Sequence, residues 1–125
     1  MIRRHSLPPI ILLAPLFVCT HSAIAEQDLE STITYLLAHV KNADVVFIRK
    51  NREYTPDEAA AHMQRKYEHF KDQIKTPEDF VLLAGTKSLM TGKAYHVRMK
   101  DGQTMLMQNW LEEALEKYRT KEARP

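Results

Sequence analysis

The sequence predicts a small α+β domain in which about four helices pack on two β-hairpins. Apolar residues recur at helical spacing in four segments, which indicates amphipathic helices. Two other segments alternate apolar and polar residues around a turn sequence, which indicates hairpins. The order is helix, hairpin, helix and then the same again, in residues 26–75 and 76–125. This order suggests a duplicated unit that forms one antiparallel sheet covered by helices.

The first half begins with an amphipathic helix predicted over residues 28–42. A hairpin follows, and its turn is predicted at Lys50 and Asn51, because asparagine tolerates a left-handed backbone. This turn would place Phe47 opposite Tyr54 as a cross-strand aromatic pair.

Two helix-start signals of the same kind come next, at residues 55–58 and 76–79. Each has a threonine to cap the helix, a proline at the first helical position and an acidic residue that reaches back to the cap. The first signal opens a helix whose predicted buried side carries Ala59, Met63, Tyr67, Phe70 and Ile74. The second opens a shorter helix, which Gly85 is predicted to end.

The second hairpin is predicted from Asp101-Gly102 between two alternating segments. With a two-residue turn, one face of this hairpin would carry His96, Arg98, Met105 and Met107. Methionines beside cationic side chains on an exposed sheet face are typical of adaptable protein-binding surfaces. These four residues are therefore the predicted interaction surface.

The last helix is predicted to begin at Asn109, whose side chain can cap it. Trp110 lies at its start, on the same side as Leu111, Ala114 and Tyr118. We expect this tryptophan to hold the second hairpin against the helices, because a short hairpin is not stable alone.

Residues 1–25 have the order of a cleavable export signal: two arginines, an apolar run that contains prolines, and a final Ala-Ile-Ala. The run is shorter than a membrane-spanning helix, and its prolines disfavour one. We predict cleavage between Ala25 and Glu26, which leaves residues 26–125 as a periplasmic domain with no transmembrane segment. A lipoprotein attached through Cys19 is the less favoured alternative, because Val18 replaces the small residue that such signals carry.

Removal of the signal changes the chemistry available to the chain. Cys19 is the only cysteine, so the remaining domain cannot use a disulfide, a thiolate nucleophile or a cysteine-ligated metal. Of 18 basic residues, Arg3 and Arg4 belong to the signal, so 16 remain against 16 acidic ones. This balance does not indicate nucleic acid as a partner.

Candidate catalytic and metal-binding residues are few. Residues 85–93 resemble a phosphate-binding loop but lack its glycine spacing and its hydroxyl residue, so a linker is favoured. His62 and His69 share one face of the second helix with Lys66 between them, which favours a solvated basic face over a zinc site. Ser88 lacks the surroundings of a nucleophile. No cofactor is predicted.

Several short segments together resemble one known family. They are Phe47-Ile48-Arg49, Tyr54-Thr55, Thr76-Pro77-Glu78-Asp79-Phe80, Thr91-Gly92-Lys93-Ala94-Tyr95, Asp101-Gly102 and Trp110-Leu111. This set is similar to the small secreted proteobacterial proteins grouped as domain of unknown function 5329, over nearly all of the exported part. The resemblance implies a signal peptide and this order of elements, and it implies no activity, substrate or cofactor.

The sequence favours a non-enzymatic module that binds a periplasmic protein or an envelope component, because no catalytic constellation stands out. One alternative is a small hydrolase or metal-dependent enzyme that uses His62, His69 or Ser88. Another is a structural homodimer. The sequence leaves the partner and the oligomeric state open.

The export signal generates the first testable prediction. Intact mass spectrometry of the exported protein should give a chain that begins at Glu26, because the peptidase reads the small residues before it. A diacylated chain that begins at Cys19 would contradict this prediction and would indicate a membrane-anchored lipoprotein.

Overall fold

A computed structural model describes residues 6, 9–11, 13–15 and 21–124, with side chains in the first helix from residue 28 onward. The predicted signal residues Arg3, Arg4 and Cys19 lie outside the described residues. The elements are α1 (His21–Lys41), β1 (Val46–Arg49), β2 (Arg52–Tyr54), α2 (Pro56–His69), α3 (Pro77–Gly85), β3 (His96–Arg98), β4 (Thr104–Leu106) and α4 (Met107–Glu122). These elements confirm the predicted α+β class.

Helix α1 begins earlier than the predicted residue 28. Its backbone is helical from His21, across the predicted cleavage position between Ala25 and Glu26. Alanine, glutamate and glutamine are strong helix formers, so the helix extends through them. Within the described residues, no helix is both long and apolar enough to cross a membrane.

Both predicted helix-start signals are confirmed as capping boxes. At α2, the backbone N–H of Glu58 donates to Thr55 Oγ1 over 3.2 Å, and Glu58 accepts from the Thr55 N–H in return. At α3, the N–H of Asp79 donates to Thr76 Oγ1 over 3.1 Å, with the same reciprocal bond. These bonds satisfy N–H groups that the first turn of a helix leaves without partners.

The first hairpin forms as predicted. Lys50 and Asn51 both have positive φ angles, 53° and 62°, which is the backbone of a two-residue type I′ turn. Phe47 consequently lies opposite Tyr54 in the ladder between β1 and β2.

The two hairpins join in one antiparallel sheet with the strand order β2-β1-β3-β4. Strand β1 pairs with β3, and Phe47 lies opposite Val97. These two side chains are buried, whereas Ile48 and His96, which point to the other face, are partly exposed. All four helices contribute to the core on the buried face, which is the arrangement that the duplication hypothesis requires.

The predicted register of the second hairpin is wrong by one residue. Its loop has three residues, because the N–H of Met99 donates to the Gln103 carbonyl over 2.8 Å and Gly102 adopts a φ of 88°. A type I turn followed by a left-handed glycine gives such a loop. Val97 therefore lies opposite Met105, and His96 lies opposite Leu106.

The start of α4 also differs from the prediction. The helix begins at Met107, directly after β4, and Leu106 occupies the cap position without a side-chain bond. The Met107 N–H instead donates to the carbonyl of Tyr95, directly before β3, over 2.9 Å. This bond gives a partner to one of the N–H groups that the start of a helix leaves free. Asn109 lies inside the helix and is exposed.

Gly85 ends α3 as predicted, and its lack of a side chain has a packing role. A Cβ atom at this position would come within 2.3 Å of Leu111 Cδ1, and Leu111 is completely buried in α4. The glycine therefore allows α3 and α4 to approach closely.

Trp110 is a core residue that joins helices to the sheet. Only 7% of its surface is exposed. Its ring packs edge-on against Phe47, at 5.5 Å between centroids, and lies 4.5 Å from the ring of His39 in α1. Trp110 lies in the first turn of α4, which follows the second hairpin, and it also contacts the first hairpin through Phe47.

We expect Trp110→Ala to lower the free energy of unfolding by roughly 3–5 kcal/mol, because it removes a large buried ring and leaves a cavity. His69→Ala is the control, because His69 is exposed in α2. That control should cost under about 0.5 kcal/mol. Denaturant unfolding of the two variants measures the difference, and comparable costs would contradict the central position of the tryptophan.

Candidate functional site

The candidate site lies at the end of strand β1, between the helix-covered face of the sheet and helix α2. Arg49 is two residues after Phe47 and therefore points to the same, helix-covered face. A cavity of about 30 Å³ opens beside it. Its lining comprises Phe47, Ile48, Arg49, Tyr54, Glu58, Ala59, His62, Met63, Tyr95 and Met107. This volume is enough for one or two water molecules.

The Arg49 guanidinium is the centre of a hydrogen-bonded cluster. Its Nη1 lies 2.9 Å from Nδ1 and 3.1 Å from Nε2 of His62, and its Nη2 donates to the Tyr54 hydroxyl over 2.9 Å. The guanidinium also lies over the Tyr54 ring, 4.6 Å from the centroid. Since a guanidinium can only donate, the imidazole accepts from it and is neutral.

Tyr95 and Lys66 complete this group. The Tyr95 hydroxyl lies 3.2 Å from His62 Nε2 and accepts from Lys66 Nζ, also over 3.2 Å. Lys66 donates further to the Lys87 carbonyl over 3.0 Å. We call Arg49, Tyr54, His62, Lys66 and Tyr95 the Arg49 cluster.

Helix α2 supplies one side of the cluster through residues four apart. Glu58, His62 and Lys66 share one helix face because this spacing is close to one turn. Glu58 is the carboxylate that lines the cavity, and its Oε1 already accepts from both the backbone and the hydroxyl of Thr55. Glu58 thus completes the capping box of α2 at the rim of the site.

Burial and like charges shift the titration of the cluster. The pKa of His62 is lowered to about 4, chiefly by burial and then by the charges of Arg49, Lys66 and Arg65. Burial, followed by the charge of Arg49, also lowers the pKa of Lys66. Each change disfavours an additional positive charge.

The two tyrosines shift in opposite directions. The hydrogen bond from Arg49 lowers the pKa of Tyr54, whereas burial raises the pKa of Tyr95. Only 5% of the surface of Tyr95 is exposed, which makes it a buried member of the cluster.

The cationic groups of the cluster lack an anionic partner within the described part of the chain. The ion pairs found there join Arg98 to Glu53, Lys100 to Asp44 and Arg119 to Glu78. None includes Arg49 or Lys66. The Nε atom of Arg49 is buried and has no hydrogen-bond acceptor.

The four residues of the predicted interaction surface do not share one face. His96 and Arg98 are partly exposed on the open face of the sheet, where Arg98 pairs with Glu53. Met105 lies opposite Val97 on the helix-covered face, and Met107 is buried in the core. The three-residue loop of the second hairpin causes this separation.

The residues of the alternative enzymatic hypotheses are also separated. His62 belongs to the Arg49 cluster, so its predicted place on a solvated helix face is wrong. His69 is exposed and packs against Phe70. Ser88 is buried in the loop before β3, outside the lining of the cavity. Among the residues with described structure, no three potential metal-binding side chains of His, Cys, Asp or Glu converge.

Two signals in the sequence point to the cluster. The alternation in β1 places Arg49 in phase with Phe47, so a charged residue faces the predicted core. The four-residue spacing of Glu58, His62 and Lys66 places charged groups on one face of α2. These side chains lie close to Tyr95 because β1 pairs with β3, and no local sequence pattern indicates that pairing.

Comparison with protein families gives one assignment. The model of a family described as "Family of unknown function (DUF5329)" matches residues 27–119. The chain belongs to the DUF5329 family. The match includes all of the Arg49 cluster and the four strands of the sheet, and it extends from within α1 to within α4. Neither the curated proteins nor the solved structures gave a match.

The lowered pKa of His62 generates a pH prediction. The unfolded chain binds a proton at a pKa near 6.5, whereas the folded chain binds it only near 4, so stability falls as the pH drops through this window. Because His62 is partly exposed, we expect a loss on the order of 1 kcal/mol after allowance for solvent screening.

His62→Gln removes this titration while it keeps a hydrogen-bonding side chain of similar length. Thermal or denaturant unfolding of both proteins between pH 6.5 and 4 tests the expectation. Other titrating groups, such as His39, affect both proteins alike. Parallel stability curves for the two proteins would show that His62 does not titrate as described.

Proposed function

We propose that this domain is a non-enzymatic binding module that receives an anionic group of a periplasmic protein or an envelope component at the Arg49 cluster. The observation that carries the proposal is the pair of partly buried cations, Arg49 and Lys66, neither of which forms an ion pair with a carboxylate of the described residues. A carboxylate or a phosphate would supply the missing charge.

The energetics of the cluster support an anionic ligand. Partial burial removes hydration from Arg49 and Lys66, and their like charges repel, as the lowered pKa of Lys66 reflects. A cation that loses water without gaining a counter-ion costs free energy of folding. A bound anion would offset this cost through charge-assisted hydrogen bonds, which are about twice as strong as neutral ones.

The size of the cavity limits how a ligand can enter. A volume of about 30 Å³ is too small for a whole metabolite, so the ligand would meet the cluster at its exposed edge. A terminal carboxylate or a phosphate attached to a larger molecule suits such an edge. This geometry favours recognition of one group on a macromolecule.

The state of His62 favours binding over catalysis. A pKa of about 4 makes this imidazole a weak base at neutral pH, and its nitrogens already lie beside Arg49 and Tyr95. Its role in the proposal is to orient the guanidinium as a neutral acceptor between two cations.

We propose further that the domain acts outside the cytoplasm. The support is the order of charged, apolar and small residues in positions 1–25, which is typical of an export signal. Cleavage before Glu26 would release residues 26–125, a segment that contains the whole Arg49 cluster.

Thermal unfolding in phosphate and in acetate, each compared with chloride at equal ionic strength, tests the proposed site. We expect one or both anions to raise the stability by about 1.4 kcal/mol at ten times their dissociation constant, because they bind only the folded state. Arg49→Gln and Lys66→Gln should remove this increase.

Arg52→Gln is the matched control for this test. Arg52 lies opposite Arg49 in the first hairpin but is exposed and outside the cavity lining. Its replacement should leave the anion effect unchanged. An equal increase in Arg49→Gln and in the unsubstituted protein would refute the proposed site.

A further inference from the structure

We propose that residues 87–94, the 87–94 loop, contact the surface of a bilayer that contains anionic phospholipid. In this proposal Leu89 and Met90 insert between the headgroups, while Lys87 and Lys93 bind lipid phosphates. The proposal goes beyond the anion-binding function and uses different residues.

The tip of the loop exposes apolar side chains to solvent. Met90 is 91% exposed and Leu89 is 55% exposed. Single exposed apolar residues are common on proteins, but here two adjacent ones occupy the end of a projecting loop.

Hydrogen bonds hold the base of the loop in place. Lys87 and Ala94 form an isolated antiparallel bridge, and the N–H of Ser88 donates to the Lys93 carbonyl over 3.0 Å. The N–H of Gly92 donates to the Ser88 carbonyl over 2.7 Å, and Ser88 is buried. The tip is thus presented by an ordered base that is packed against the domain.

The charges around the tip have one sign. Residues 80–100 contain no aspartate or glutamate, and Lys87 and Lys93 flank the apolar tip. Two other cations of this segment, Arg98 and Lys100, pair with acidic residues elsewhere. Lys87 and Lys93 are absent from the ion pairs of the described residues, so their charge is free to bind phosphate.

This combination fits a lipid surface better than a protein partner. Lysine is depleted from the centres of protein interfaces, where larger aromatic anchors are usual. At a membrane, by contrast, a lysine keeps its charge at the phosphates while its stem follows the apolar layer. Apolar insertion together with attraction to anionic lipid is the general mode of peripheral binding.

A dye at the tip tests the proposal directly. In a Cys19→Ser background, Met90→Cys is labelled with a nitrobenzoxadiazole dye, whose emission rises on entry into an apolar layer. We expect a rise with vesicles of phosphatidylglycerol and phosphatidylcholine in equal parts, and little change with phosphatidylcholine alone. Because the dye reports only its own position, binding through residues 1–25 does not imitate the result.

The control places the same dye at Leu82→Cys. Leu82 lies on α3 and is 53% exposed, close to the value for Leu89, but it is outside the loop. We expect no emission rise at this position. A rise of equal size at both positions, or none at position 90, would overturn the proposal.

Lysine replacements test the electrostatic part. Lys87→Gln and Lys93→Gln should each weaken the vesicle response of the dye at position 90 by about fivefold. An unchanged response in the double replacement would overturn the role of the lysines. Arg49→Gln should leave the response intact, so failure of the anion-binding site and failure of membrane contact give different results.

Discussion

The pairing of β1 with β3 is the interaction on which the rest of the structure depends. Each half of the chain contributes one hairpin, and this ladder joins the hairpins into one sheet. At its centre Phe47 lies opposite Val97, and Trp110 of the last helix packs against Phe47. One residue beyond the paired segment stand Arg49 and Tyr95, on the same helix-covered face. The core and the Arg49 cluster therefore require the same register.

The two halves share a topology but differ in chemistry. Counted outward from the central Phe47–Val97 pair, the position of Arg49 in the first hairpin corresponds to Met99 in the second, and Tyr54 corresponds to Met105. Both methionines pack against the core. The second half thus uses these positions for apolar packing, whereas the first half uses them for a polar cluster. If the chain arose by duplication, the first copy supplies four of the five cluster residues and the second copy supplies Tyr95.

Local signals predicted much of the fold, and long-range contacts account for the errors. The capping threonines Thr55 and Thr76 each accept a hydrogen bond from the N–H group three residues later. Because these contacts are local, the sequence was enough to predict them. The second hairpin has two loop lengths compatible with Asp-Gly, and the choice between them decides which methionines face the core. The interaction surface predicted around His96 depended on that choice.

His62 shows why the candidate site was harder to predict than the fold. Its partners lie 13 residues earlier, at Arg49, and 33 residues later, at Tyr95. Helix periodicity places His62 on one side of α2, but only the sheet register decides what that side meets. The neighbouring Lys66 led to the prediction of a solvated basic face. In the structure, that side of His62 contacts the partly buried guanidinium of Arg49 instead of solvent.

The protonation of His62 depends on the positive charge of the cluster, and therefore on whether the proposed anion is bound. Burial is the main reason that the pKa of His62 lies near 4, and protonation would also place a third positive charge beside Arg49 and Lys66. An anion bound at the cluster would offset those charges and raise the pKa of His62 and of Lys66 toward ordinary values. Because ligand and proton then favour each other, the affinity for an anion of constant charge would rise as the pH falls. The lowered pKa of His62, which makes the free domain less stable in acid, would thus also make the affinity for an anion depend on pH.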